Sequence, residues 1–119
     1  MTDRAALLEY ASDLLDGSVA LGARGIRTAA LLARRAFEDW LDEQGAQWSG
    51  SSYYGPSTKS KLVILEALRG TELGQSVKRI WQGLSVACHH HSYELQPSSA
   101  EVKDLVEQVR GLDDSGQTV

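Results

Sequence analysis

Apolar residues recur at helical spacing through almost the whole chain, and this repeat restricts the fold more than any other feature. Its clearest stretch is Ile26, Ala29, Ala30, Ala33, Ala36, Phe37, Trp40 and Leu41. These residues share one face of an α-helix, whereas a strand would scatter them over both faces of a sheet. The alanines in the stripe predict that neighbouring helices approach closely.

The other segments follow the same rule. Residues 3–15 place Leu7, Leu8, Ala11, Leu14 and Leu15 on one stripe, and Gly17 closes that helix. Ser18 is a candidate N-cap for a second helix running to about Glu43. Gly22 and Gly25 weaken its first turns and move a firm start toward Ile26. Ser57 or Thr58 caps a third helix over 58–69, which carries Leu62, Leu65, Ala67 and Leu68 and stops at Gly70. A fourth, over about 72–95, carries Val77, Ile80, Trp81, Leu84, Cys88, His91 and Leu95, and Pro97 ends it. Ser98 and Glu101 form a capping box for a fifth, with Val102, Leu105, Val106 and Val109 on one face and Gly111 at its close.

No strand pattern, repeat or low-complexity tract is present. The expected fold is all-α: an up-down bundle of four main helices plus a short C-terminal helix. One domain covers residues 1–112, and 113–119 form a disordered tail. Residues 44–56 read as loop from their Gly, Ser, Gln and Pro content. Trp48, Tyr53 and Tyr54 in it are expected to dock the loop onto the bundle, the other reading being a contact surface.

A chain of 119 residues can bury a core without disulfides or metal. Its single cysteine excludes an internal disulfide framework and fits a reducing compartment. The longest strongly apolar run is Leu62-Val63-Ile64-Leu65, too short for a secretory signal or a membrane span. A cytoplasmic location and no membrane partner are therefore expected.

The net charge of -4 argues against a protein that coats nucleic acid by charge alone. The charges are unevenly placed, however. Residues 19–37 hold Arg24, Arg27, Arg34 and Arg35 and no acid, while residues 1–18 hold Arg4 against Asp3, Glu9, Asp13 and Asp16. The basic strip is either a phosphate contact or a solvated face paired with carboxylates.

The run Cys88-His89-His90-His91-Ser92-Tyr93 contains the only cysteine and all three histidines. It gathers the groups suited to proton transfer near neutral pH. Consecutive helical residues point about 100° apart, so the three histidines do not share one site. His91 falls on the apolar stripe with Cys88 and Leu84, His89 lies on another flank, and His90 points away near Glu94. The plain reading of His91 is a seam histidine satisfied by a neighbour.

Cys88 and His91 stand three apart and could reach one zinc ion, but no other Cys or His exists outside this run to complete a site. No metal or cofactor is expected. Adjacent helical positions do not align Cys88 with a histidine for nucleophilic attack, so Cys88 is expected to be a buried structural thiol. Gly70-Thr-Glu-Leu-Gly74 lacks the Lys-Ser/Thr and the preceding strand of a phosphate loop.

Two segments together resemble the HEPN superfamily of small α-helical nucleotide- and RNA-associated domains. One is Ala33-Arg34-Arg35-Ala36-Phe37-Glu38-Asp39-Trp40-Leu41, with Arg and acid within one turn. The other runs from Trp81 to Tyr93. The family signature there is Arg, four to six residues, then His, and in one branch His-x-Tyr. His91-Ser92-Tyr93 matches the His-x-Tyr half. The Arg should stand at 86, 85 or 84, where this chain has Val86, Ser85 and Leu84. Arg79 is about 18 Å along the helix from His91, too far to substitute within one chain.

The resemblance covers roughly residues 1–110 in helix order. It implies a homodimer with its site at the seam, and RNA cleavage without metal. In that scheme His91 acts as acid/base on the 2′-hydroxyl or leaving oxygen. Arg34 or Arg35, or else a basic residue brought by the partner chain across the seam, supplies the positive charge that Val86 does not, and Glu38 orients the histidine. His89 lies beside the substrate, and Tyr93 is a target for a partner nucleotidyltransferase. Loss of the motif Arg removes stabilisation where phosphate charge develops, so the expected ribonuclease activity is weak or lost. The setting implied is toxin–antitoxin or defence. The alternative is a non-catalytic dimeric protein-interaction module with an apolar seam around Val86.

Overall fold

The computed structural model describes residues 3–17, 23–49, 57–88 and 98–117, with side chains at 3–17, 24–44, 57–88 and 98–112. The elements are α1 (Arg4–Leu15), α2 (Ala23–Ser49), α3 (Thr58–Arg69), α4 (Thr71–Cys88) and α5 (Ser99–Gln117). No strand occurs among the described residues, and the chain forms an all-α helical bundle.

Local chemistry sets most of the helix ends. Asp3 caps α1 by accepting from the Ala6 amide at 3.1 Å, and Gly17 follows the last turn at φ +82°. Ser57 caps α3 through the Ser60 amide at 3.3 Å. Ser98 accepts from the Glu101 amide at 3.1 Å and its hydroxyl donates to the Glu101 carboxylate at 3.2 Å.

α2 is the axis of the bundle and touches each of the other helices. Ala29, Ala30, Ala33 and Ala36 are fully buried on it, beside Phe37, Trp40 and Leu41. α1 packs on α2 and α5, α3 packs on α4 and α2, and α5 closes against α1, α2 and α4. Charged contacts tie the layers at their edges. Arg4 reaches Asp39 at 2.9 Å and Glu43 at 2.8 Å, Lys61 pairs with Asp42, and Lys103 meets Asp16 at 3.1 Å.

α3 and α4 are joined by Gly70 alone, at φ 103° and ψ 156°. That backbone region is open essentially only to glycine. Four residues on, a Cβ at Gly74 would stand 2.5 Å from Glu66 Cβ and 2.9 Å from its Cα. The two glycines of the supposed phosphate loop thus serve the turn and the close approach of α3 to α4.

Two boundaries differ from expectation, and a third lies beyond the described residues. α2 continues through Gln44 and Gly45 to Ser49, into the segment read as loop. Gln44 explains part of this: it is only 5 % exposed, and its Oε1 accepts from Arg69 Nη1 at 3.0 Å. The Trp48 side chain, Tyr53 and Tyr54 lie outside what the structure describes. α5 is not short, since its 19 residues exceed the 18 of α4. It passes Gly111 to Gln117, through most of the segment expected to be a disordered tail. Leu112 is buried and continues the apolar face, which offsets the roughly 1 kcal/mol that a helical glycine costs. Finally, the described part of α4 ends at Cys88, and the expected continuation to residue 95 lies outside the described residues.

Candidate functional site

The C-terminal end of α4 rests against the basic stretch of α2. The cause is the apolar stripe of α4: Val77, Ile80, Leu84, Ala87 and Cys88 are buried, and they turn the last residue of the helix toward α2. Arg27 Nη2 donates to the Cys88 carbonyl oxygen at 3.4 Å. This carbonyl belongs to the last described turn of α4. A guanidinium N–H is a natural donor to it.

Two turns along α2, Arg34 faces the same spot. Arg34 hydrogen-bonds the Cys88 thiol and lies 3.9 Å from Glu38 across one helical turn. Burial pushes the Cys88 thiol up from its ordinary pKa. Arg34 and Arg27 pull it back down, and Glu38 pushes it up further. Desolvation wins, so the thiol is neutral at physiological pH and suited to packing rather than attack.

Arg34 and Glu38 are therefore brought together with Cys88. Arg35 is not: it is exposed on the outer face of α2. Arg24 and the half-exposed Leu31 share that face. Neither Arg24 nor Arg35 makes a side-chain hydrogen bond or ion pair with a described residue. His89, His91 and Tyr93 lie outside the described residues.

Arg27 was not among the site residues expected from the motif. It stands seven residues before Arg34, which puts both on one helix face. That spacing was the available signal, but its meaning depends on where α4 crosses α2.

Val86, at the motif-Arg position, is 72 % exposed. It borders a groove of about 420 Å³ between α4 and α5, lined also by Gln82, Gly83, Ala87, Leu105 and the carboxylates of Glu101 and Asp104. No group of three His, Cys, Asp or Glu placed to hold a metal ion occurs among the described residues. No helix among them is long and apolar enough to cross a membrane.

Compared with protein-family models, with curated proteins and with solved structures, the chain matches none.

Proposed function

We propose that this chain is a HEPN-like, RNA-associated helical domain with weak or lost metal-independent ribonuclease activity, acting in a toxin–antitoxin or defence setting. The observation that carries the reading is the convergence of Arg27 and Arg34 on the end of α4, three residues before His91. The motif Arg is missing at position 86, and α2 offers positive charge at the same end of the helix. Arg34 contacts the phosphate with Arg27 beside it, Glu38 sets the orientation, and His91 moves the proton, with His89 and Tyr93 alongside; Arg35, on the outer face of α2, stands outside this cluster. A homodimer would bring a second set of these groups to the seam. A nucleotidyltransferase acting on Tyr93 would add bulk and negative charge beside the histidines. A cytoplasmic location fits this chemistry.

The test is incubation of the purified protein with total RNA and with transfer RNA in excess chelator, beside His91→Ala and Val86→Arg. Cleavage that is weak in the parent, lost in His91→Ala and raised in Val86→Arg is the expected result. Absence of cleavage and of RNA binding in all three overturns the reading.

A second reading is favoured by Val86 itself. A valine 72 % exposed beside an apolar-floored groove is a surface that gains by being covered. In this reading the chain is a non-catalytic dimeric interaction module whose seam is α4. A tight dimer without RNA affinity, loosened by Val86→Arg, is its signature.

A further inference from the structure

On the side of the bundle formed by α3 and α4 lies a cleft of about 380 Å³ that plays no part in the site above. Its apolar surface comes from Leu62, Val63 and the partly buried Trp81. Val63 is 68 % exposed, and Leu68 further along α3 is 59 % exposed. Lys59 on α3 and Lys78 on α4 stand at its rim, and neither forms an ion pair with a described residue. Glu66 also lines it, beside Gly74. An occupant should carry an apolar or aromatic anchor flanked by acids.

The chain presents such a surface itself. On the outer face of α1, Tyr10 is 46 % exposed, with Glu9 beside it and Asp13 one turn on. Glu9 and Asp13 make no ion pair with a described residue. Every other charge position on that helix is engaged: Arg4 with Asp39 and Glu43, Asp3 as the cap, and Asp16 with Lys103. α1 touches α2 and α5 but neither α3 nor α4, so a single molecule cannot bring its own Tyr10 to its own cleft.

We infer that a second copy of this chain docks the Glu9–Tyr10–Asp13 face of its α1 into the α3–α4 cleft. The Tyr10 ring lies against Val63 and Trp81, its hydroxyl donates to the Glu66 carboxylate, and Glu9 and Asp13 meet Lys59 and Lys78. The two surfaces differ, so the contact is head-to-tail, and each added copy leaves one free surface at each end. One helix face in one cleft is a small interface, so association is weak and falls as salt rises.

The experiment uses sedimentation velocity on the full chain over a dilution series, with two variants. One carries Glu9→Gln, Tyr10→Ala and Asp13→Asn; the other carries Lys59→Glu and Lys78→Glu. Four of the five positions are exposed and Asp13 is partly buried, and circular dichroism checks that both variants fold. The wild type should show mass rising with concentration beyond a dimer. Each variant alone should be a monomer, and an equimolar mixture should stop at a dimer, because one intact face of each kind remains. A wild type monomeric at every concentration overturns the proposal. So does association that both variants retain, which would point to a symmetric seam at Val86. Loss of association in the cleft variant alone would likewise overturn it, since the occupant would then be something other than α1. None of these readouts involves RNA, so they stand or fall apart from the ribonuclease reading.

Discussion

Arg27 donates from Nη2 to the main-chain carbonyl of Cys88 at 3.4 Å, joining the start of α2 to the end of α4 across 61 positions of sequence. The contact places positive charge where α4 delivers the chain into its histidine run. It should also hold that end of the helix. Arg27→Ala is expected to cost about 0.5–1.5 kcal/mol in urea denaturation, the usual worth of one partly exposed hydrogen bond. Unchanged stability would mean that the contact is not maintained in solution.

Neighbouring positions on α4 should respond very differently to truncation. Leu84 is fully buried and Val86 is mostly exposed. Leu84→Ala is expected to lose about 2–5 kcal/mol. Val86→Ala should stay within about 0.5 kcal/mol of the parent when measured on the monomer. Equal losses would contradict the rotation of α4 described above.

The α3–α4 junction depends on two glycines for separate reasons. Gly70→Ala forces an alanine into a glycine-only conformation and should cost about 1–3 kcal/mol. Gly74→Ala puts a methyl group against the Glu66 backbone and should cost a similar amount by pushing the helices apart. Thermal unfolding of both variants checks this, and Gly111→Ala, which meets nothing within 4 Å, serves as the tolerated control.

Cys88 should give the stability a pH dependence. Its thiol is held above the ordinary value by burial, against the pull of Arg34 and Arg27. In the unfolded chain it ionises near pH ~8.5. Below that pH both states keep the proton, and the contribution to stability is fully present. Above it the unfolded state gains by ionising while the native thiol does not, so stability falls until the native pKa is passed. The parent should therefore lose stability above about pH 8.5 more steeply than Cys88→Ala. Parallel curves would contradict a buried, protonated thiol.

The helical class was legible in the sequence because the apolar stripes of α2, α4 and α5 are long and regular. The bounds of α3 were legible too, since Ser57 and Gly70 each have a backbone task that few other residues perform. The end of α2 was not. Gln44-Gly45 has loop composition, and only tertiary packing shows that Gln44 is buried against Arg69. Leu112, one position past Gly111, extends the apolar face and marks in the sequence that α5 continues. In the candidate site, Arg34 and Glu38 were found by motif, but their meeting with Cys88 depends on how α4 crosses α2. The same crossing singles out Arg27 from the rest of the basic strip, and leaves Arg35, next to Arg34 in sequence, facing away.

The central claim is that the basic face of α2 contacts RNA, and the most direct test is RNA affinity across a salt series. The wild type should bind short single-stranded RNA with an affinity that falls as salt rises. Arg27→Gln and Arg34→Gln, on the face of α2 that meets the end of α4, should each weaken binding and lower the slope of log affinity against log salt by about 0.7, the value for one neutralised phosphate on a single strand. Binding that is absent, insensitive to salt, or equal in the variants would contradict the account.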